Sequence, residues 1–132
     1  MDQAITLDKI IEIRENCACL QARRRARLLT KAYDEILAPS GLKMTQFSTL
    51  AMLIAGPLGI TKLSETLGLD RTTLSRNIAG LERKGYVVLG ASTDARERQV
   101  TITPSGGKAV HWAYGLWQEA QLIYAGEVGS NA

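Results

Sequence analysis

The residues best placed to do chemistry lie between Thr61 and Lys84, in TKLSETLGLDRTTLSRNIAGLERK. Leu63 and Leu67 stand four apart and share one helical face. Gly68 then supplies the left-handed residue that ends a helix. Leu69 fills the turn, and Asp70 is placed to cap a second helix. Leu74, Ile78 and Leu81 form the buried stripe of that second helix. Its outward face carries Arg71, Thr72, Thr73, Ser75, Arg76 and Asn77 near the N-terminal end. Hydroxyls, an amide and guanidinium groups can read base edges in a DNA major groove, while the helix start faces phosphate. The plain alternative is a polar, solvated helix of some other small domain.

Residues 85–103 strengthen the DNA reading. Tyr86–Leu89 is β-branched and aromatic, and Gln99–Thr103 alternates polar with apolar, putting Val100 and Ile102 on one face. The charged stretch between them carries Asp94, Arg96 and Arg98. This pattern predicts a β-hairpin attached to the second helix. Arginines on such a wing reach phosphate or an adjacent minor groove. Asp94 repels phosphate and is assigned to pairing with Arg96 or Arg98. Phosphate contacts are expected from Arg71, Lys84 and Arg96 or Arg98, and base-edge contacts from Thr72, Thr73, Ser75, Arg76 and Asn77.

Around this lie elements that must hold it. Thr6 is read as the N-cap of one long helix reaching Ala38, with no Pro or Gly inside it. A helix of that length measures roughly 50 Å, too long to pack wholly on one small domain, so part of it is assigned to a dimer interface. Its Arg23, Arg24, Arg25 and Arg27 span about 400° of helix and cannot all face one way. Most are read as solvated, with one or two approaching DNA backbone or a partner chain. Pro39-Ser40-Gly41 breaks the helix. A core helix comes next, capped by Thr45 and burying Phe47, Leu50, Ala51 and Ile54. Thr61 is read as the N-cap of the next helix, and Gly59-Ile60 as a short strand beside the wing. A last helix is expected from about Gly107 to Ala125, with Val110, Tyr114, Trp117, Gln121 and Tyr124 along one face.

The 132 residues suit one core. The fold class is mainly α with a small β-wing (α+β). Residues 1–38 and 105–132 are assigned to dimerisation and residues 42–104 to a winged helix–turn–helix. A net charge of +3 is only mildly basic, so the clustering of cations matters more than their sum. No apolar run suits a membrane span and the first residues lack a secretory signal pattern, so a cytoplasmic location is expected. One histidine, no Gly-rich phosphate loop and no nucleophile–base pairing argue against an enzyme. Neither cofactor nor metal is expected.

The motifs LSETLGLDRTTLSRNIAGLERKGYV and DARERQVTITPSG resemble the recognition helix and wing of the MarR family of bacterial transcription regulators. The resemblance implies a homodimer with interlocked first and last helices, on a pseudo-palindromic operator in double-stranded DNA. It also implies a repressor released by a small-molecule effector or an oxidant. The last helix is short for this pattern. The alternative from another class is a winged-helix protein–protein interaction module without DNA binding, which would carry acidic or apolar residues where this chain carries Arg71 and Arg76.

Cys17 and Cys19 stand two apart, about 200° around the expected helix, which forbids a disulfide unless the helix unwinds. Their spacing also suits no metal site. One branch of the family that senses organic hydroperoxides carries a cysteine near the start of the first helix. Cys19 is similar in position, Tyr33 matches a tyrosine that meets that cysteine across the dimer, and Arg23 replaces a second tyrosine. The alternative is that both thiols are small buried apolar groups.

Overall fold

The computed structural model describes residues 4–91 and 98–128 of the chain, so Asp94 and Arg96 lie outside the described residues. The chain divides into two compact units, Met1–Ala32 and Tyr33–Ala132.

In the first unit, α1 (Leu7–Asn16) and the greater part of α2 (Ala18–Leu37) replace the single long helix expected. Thr6 caps α1 through the Lys9 N–H (3.4 Å). The interruption falls at Cys17, whose backbone is extended (φ −70°, ψ 113°). Cys17 ends one helix and starts the next: its N–H donates to the Ile13 carbonyl and its carbonyl accepts from the Gln21 N–H, both at 3.0 Å. The break frees carbonyls near the end of α1. The Gln21 side chain satisfies two of them, donating to Arg14 O (3.0 Å) and Glu15 O (3.4 Å). No Pro or Gly marks this break; a side-chain amide four residues later stabilises it. Cys17 and Cys19 therefore do not share one continuous helix, and the expectation of a single helix running through both is corrected.

The second unit holds α3 (Met44–Leu53), β1 (Leu58–Gly59), α4 (Ile60–Leu67), α5 (Arg71–Arg83), β2 (Val87–Leu89), β3 (Gln99–Ile102) and α6 (Pro104–Val128). Its core gathers Leu37, Phe47, Leu50, Leu63, Leu74 and Leu81, each at most 5 % exposed. Full burial of each such side chain stabilises the fold by roughly 1.5–3 kcal/mol. The strands form an antiparallel sheet in the order β1-β3-β2, with Val87 opposite Ile102 and Leu89 opposite Val100. Val87 and Val100 point into the core and Val88 points out, as alternation requires.

Several boundaries differ from expectation. Thr45 does not cap α3; Lys43 is the cap residue, and the Met44 N–H is met by Asp34 Oδ1 (2.7 Å). Gln46 Oε1 accepts the Lys43 N–H at 3.0 Å. Because α3 ends at Leu53, that residue is buried and Ile54 is exposed. Gly59, not Thr61, precedes α4 as its cap residue.

The last helix starts at Pro104 and runs for 25 residues, so it is not short. Pro is suited to the first helical position because its missing N–H would be unpaired there anyway. Thr103 accepts the Gly106 N–H with Oγ1 (3.0 Å) and the Gly107 N–H with its carbonyl (3.0 Å). Gly106, Ala109, Ala113 and Ala120 are its fully buried residues among those described, while Val110, Trp117, Gln121 and Tyr124 of the expected face are half-buried and Tyr114 is half exposed. Small residues let this helix approach closely, while Trp117 stacks on Phe47 with ring centroids 6.2 Å apart.

Gly106 is buried where α6 crosses the base of β2. A Cβ there would overlap the Tyr86 carbonyl oxygen and sit 2.8 Å from Ile102 Cγ1. Gly106→Ala is expected to destabilise the protein by about 1–3 kcal/mol, the usual cost of overpacking. Urea denaturation followed by circular dichroism measures it, and unchanged stability would disprove the clash.

Candidate nucleic-acid interface

The helix–turn–helix is built by local hydrogen bonds around Gly68 and Asp70. Gly68 takes the left-handed conformation (φ 66°) that ends α4. Leu69 then packs beneath the turn against the core. Ser64 fixes it from both sides: its hydroxyl donates to the Leu69 carbonyl (2.5 Å), and its carbonyl accepts the Leu69 N–H (3.2 Å). Asp70 caps α5, its Oδ1 accepting the Thr73 N–H at 2.8 Å. The Thr73 backbone and hydroxyl bonds hold this carboxyl below its ordinary range, with a smaller contribution from Arg76.

Leu74, Ile78 and Leu81 anchor α5 with at most 2 % exposure. The opposite face leaves Arg71, Thr72, Thr73, Ser75 and Arg76 exposed. Arg71 leans toward α4, with Nη2 3.4 Å from Thr61 Oγ1. Arg71 and Ser75 share an open groove of about 320 Å³ with Arg98, floored by Ile60, Ile78 and Leu89. The structure thus brings one wing arginine beside the first turns of α5. Arg98 also braces the hairpin, donating from Nε to the Gly90 carbonyl (2.9 Å).

Two residues assigned to this face have other engagements. Asn77 is half buried and turned inward: Nδ2 donates to Thr45 O (3.0 Å) and Thr49 Oγ1 (2.6 Å). Its placement on the outward face is corrected, because the amide tethers α5 to α3. Lys84 stands just past the other end of α5 and donates from Nζ to the Gly41 carbonyl (2.6 Å), although it stays exposed. Sequence reasoning missed Thr49, fully buried with its hydroxyl also donating to Thr45 O (2.7 Å). A threonine within an apolar helix stretch was its only signal.

Away from this face, Tyr33 donates its hydroxyl to Gln121 Oε1 (2.7 Å) and lies 5.8 Å, ring to ring, from Tyr124. Burial, and secondarily Tyr124, raises its pKa above the ordinary value. Cys17 is half buried and Cys19 exposed; both are free thiols. Among the described residues no group of His, Cys, Asp and Glu could hold a metal, and no helix is long and apolar enough to cross a membrane.

Two substitutions separate scaffold from surface. Asn77→Ala leaves the buried Thr49 hydroxyl without its amide partner and is expected to cost about 1–3 kcal/mol of stability, read by urea denaturation; no loss would return Asn77 to the outer face. Asp70 has a depressed folded-state pKa, so its stabilisation is present above the unfolded carboxyl pKa and disappears as pH falls through the folded value. Asp70→Ala should therefore lower the melting temperature at neutral pH, with the gap from the parent closing in strong acid. A pH-independent gap would contradict the cap.

Comparison with known proteins agrees with this geometry. A model of the MarR family matches residues 40–97. The chain is 34 % identical over 89 residues to an uncharacterized HTH-type transcriptional regulator, YwoH, of Bacillus subtilis, covering 67 % of this chain and 65 % of that relative, just under two thirds of its length. Among solved structures it resembles the M. tuberculosis transcriptional regulator MosR, with TM-score 0.77, 37 % identity, and coverage of 89 % of this chain and 87 % of MosR. It also resembles MosR in complex with DNA, with TM-score 0.73, 40 % identity and coverage of 84 % and 83 %. The chain belongs to the MarR family of transcriptional regulators.

Proposed function

We propose that this protein is a dimeric, sequence-specific DNA-binding repressor that inserts the N-terminal part of α5 into a major groove. The observation that carries the reading is the exposed polar run Arg71, Thr72, Thr73, Ser75 and Arg76 on a helix held rigidly from behind. The similarity to MosR, which has been solved with DNA, supports it. Arg71 and Arg98 bind phosphate, and Arg76 is the principal base reader. Arg96, outside the described residues, is assigned a further phosphate contact, and Asp94 is assigned to pairing with Arg96 or Arg98 rather than to DNA. This surface lacks the acidic or apolar character of a protein–protein module.

Dimerisation rests on apolar surface that one chain leaves uncovered. No residue of α1 is buried, and in α2 only Leu37 is. Ile10, Ile13, Leu20 and Leu28 are 44–58 % exposed, and on α6 Trp112, Leu122 and Ile123 are 56–89 % exposed. Exposed apolar faces on helices of this length mark association surfaces. Two such chains present two recognition helices to a pseudo-palindromic operator. The protein works in the cytoplasm, where its DNA is.

Release by an oxidant is the second reading, favoured by the helix break at Cys17. The extended backbone there removes the helical constraint on pairing Cys17 with Cys19. An organic hydroperoxide oxidises one thiol to a sulfenic acid, releasing an alcohol; the other thiol displaces water to give a disulfide. A small-molecule effector acting without the thiols is the competing mode of release.

Fluorescence anisotropy on the duplex upstream of the gene tests these points together. The parent protein should bind tightly, with affinity falling steeply as salt rises. Arg76→Ala should lose about 1–3 kcal/mol of discrimination against altered sites; unchanged discrimination would remove Arg76 as a base reader. Loss of binding after hydroperoxide, restored by a thiol reductant and absent in Cys19→Ser, establishes the switch. Indifference to oxidant assigns release to a small molecule.

A further inference from the structure

The arginine-rich stretch of α2 has no part in the proposed DNA contact, yet three of its arginines line one groove. Arg23, Arg24 and Arg27 line an open groove of about 700 Å³ in the first unit, together with Leu20 and Gln21. Arg14, from α1, faces the same groove. On an unbroken helix Arg14 and Arg27 would stand about 20 Å apart. The interruption at Cys17, with Gln21 bonded to the Arg14 and Glu15 carbonyls, lets residues on either side of the break share one concavity. Arg25 lies in the same run and does not line it.

Four cations gathered in this way repel one another. Arg23 with Arg27 and Arg24 with Arg27 are like-charge neighbours at helical spacing, which weakens the helix. Among the described residues no carboxylate lines the groove to offset them. All four side chains are exposed, so their donors are available. Guanidinium groups pair with phosphate oxygens through two parallel N–H bonds, and several together select for more than one negative charge.

We propose that this groove is a binding site for a small organic polyanion carrying a diphosphate-type headgroup. The headgroup sits between Arg14 and the α2 arginines, neutralising their repulsion and tying the two helices together.

Isothermal titration of the full-length protein with inorganic pyrophosphate, and in parallel with a nucleoside diphosphate, tests the site in phosphate-free buffer. Saturable binding of one anion per chain is expected, weakening as salt rises. The double substitution Arg24→Ala/Arg27→Ala should weaken it at least about tenfold, and Arg14→Ala on the other helix should weaken it independently. Arg25→Ala removes the same charge without touching the groove and should leave affinity within about twofold. Circular dichroism verifies that each variant folds. No saturable binding, or equal weakening by Arg25→Ala, overturns the proposal. It is also overturned if the double substitution only dissociates the dimer, or only lowers the salt dependence of DNA binding, with anion affinity unchanged.

Discussion

Everything the outer face of α5 can do depends on the turn that aims it. Gly68 reverses the chain in a conformation that side chains disfavour, and Leu69 plugs the angle beneath. Ser64 ties the turn at both its N–H and its carbonyl. Asp70 then satisfies the first free N–H groups of α5. These are short-range bonds within about ten residues, so the angle of the helix is set by its immediate neighbours in sequence. The buried stripe Leu74, Ile78 and Leu81 converts that local angle into a fixed position against the core. Five polar side chains are then presented without having to hold the fold together themselves.

The division of labour on α5 is sharper than its polar composition suggests. Thr72, Thr73, Ser75 and Arg76 are spent on the surface, whereas Asn77 is spent inward, on α3. A half-buried amide is tolerated here because it meets two acceptors. Lys84, at the far end, clips the Gly41 carbonyl. Cations and amides next to a recognition face are therefore not all recognition groups. The wing obeys the same rule, since Arg98 braces Gly90 and lines the groove beside Arg71 at once.

Much of this was legible from residue types. The turn, the Asp70 cap, the apolar stripe of α5, the hairpin and the family all come from local spacing, where one residue's neighbours decide its state. The features that escaped depend on partners remote in sequence. Asn77 faces inward because Thr45 and Thr49 lie across from it, about thirty positions away. Asp34 meets the start of α3 from ten positions earlier. The break at Cys17 carries no Pro or Gly, and only the Gln21 amide betrays it. On α6 the alanines, which carry no periodic signal of their own, define the fully buried side because they allow close approach, with Trp117 half-buried beside them against Phe47.

Thr103 joins two elements at one residue. Its N–H donates to the Tyr86 carbonyl (2.9 Å) and its hydroxyl to the Gly85 carbonyl (2.7 Å), while the same residue caps α6. Gly106 closes the joint by direct backbone contact with Tyr86. The hairpin base and the 25-residue helix thus share a stiff pivot. A helix of that length is a lever arm of about 37 Å, so a tilt of about 6° at the pivot sweeps its far end through roughly 4 Å. Worked in reverse, a displacement of a few ångströms imposed far along α6 arrives at the wing as a small rotation.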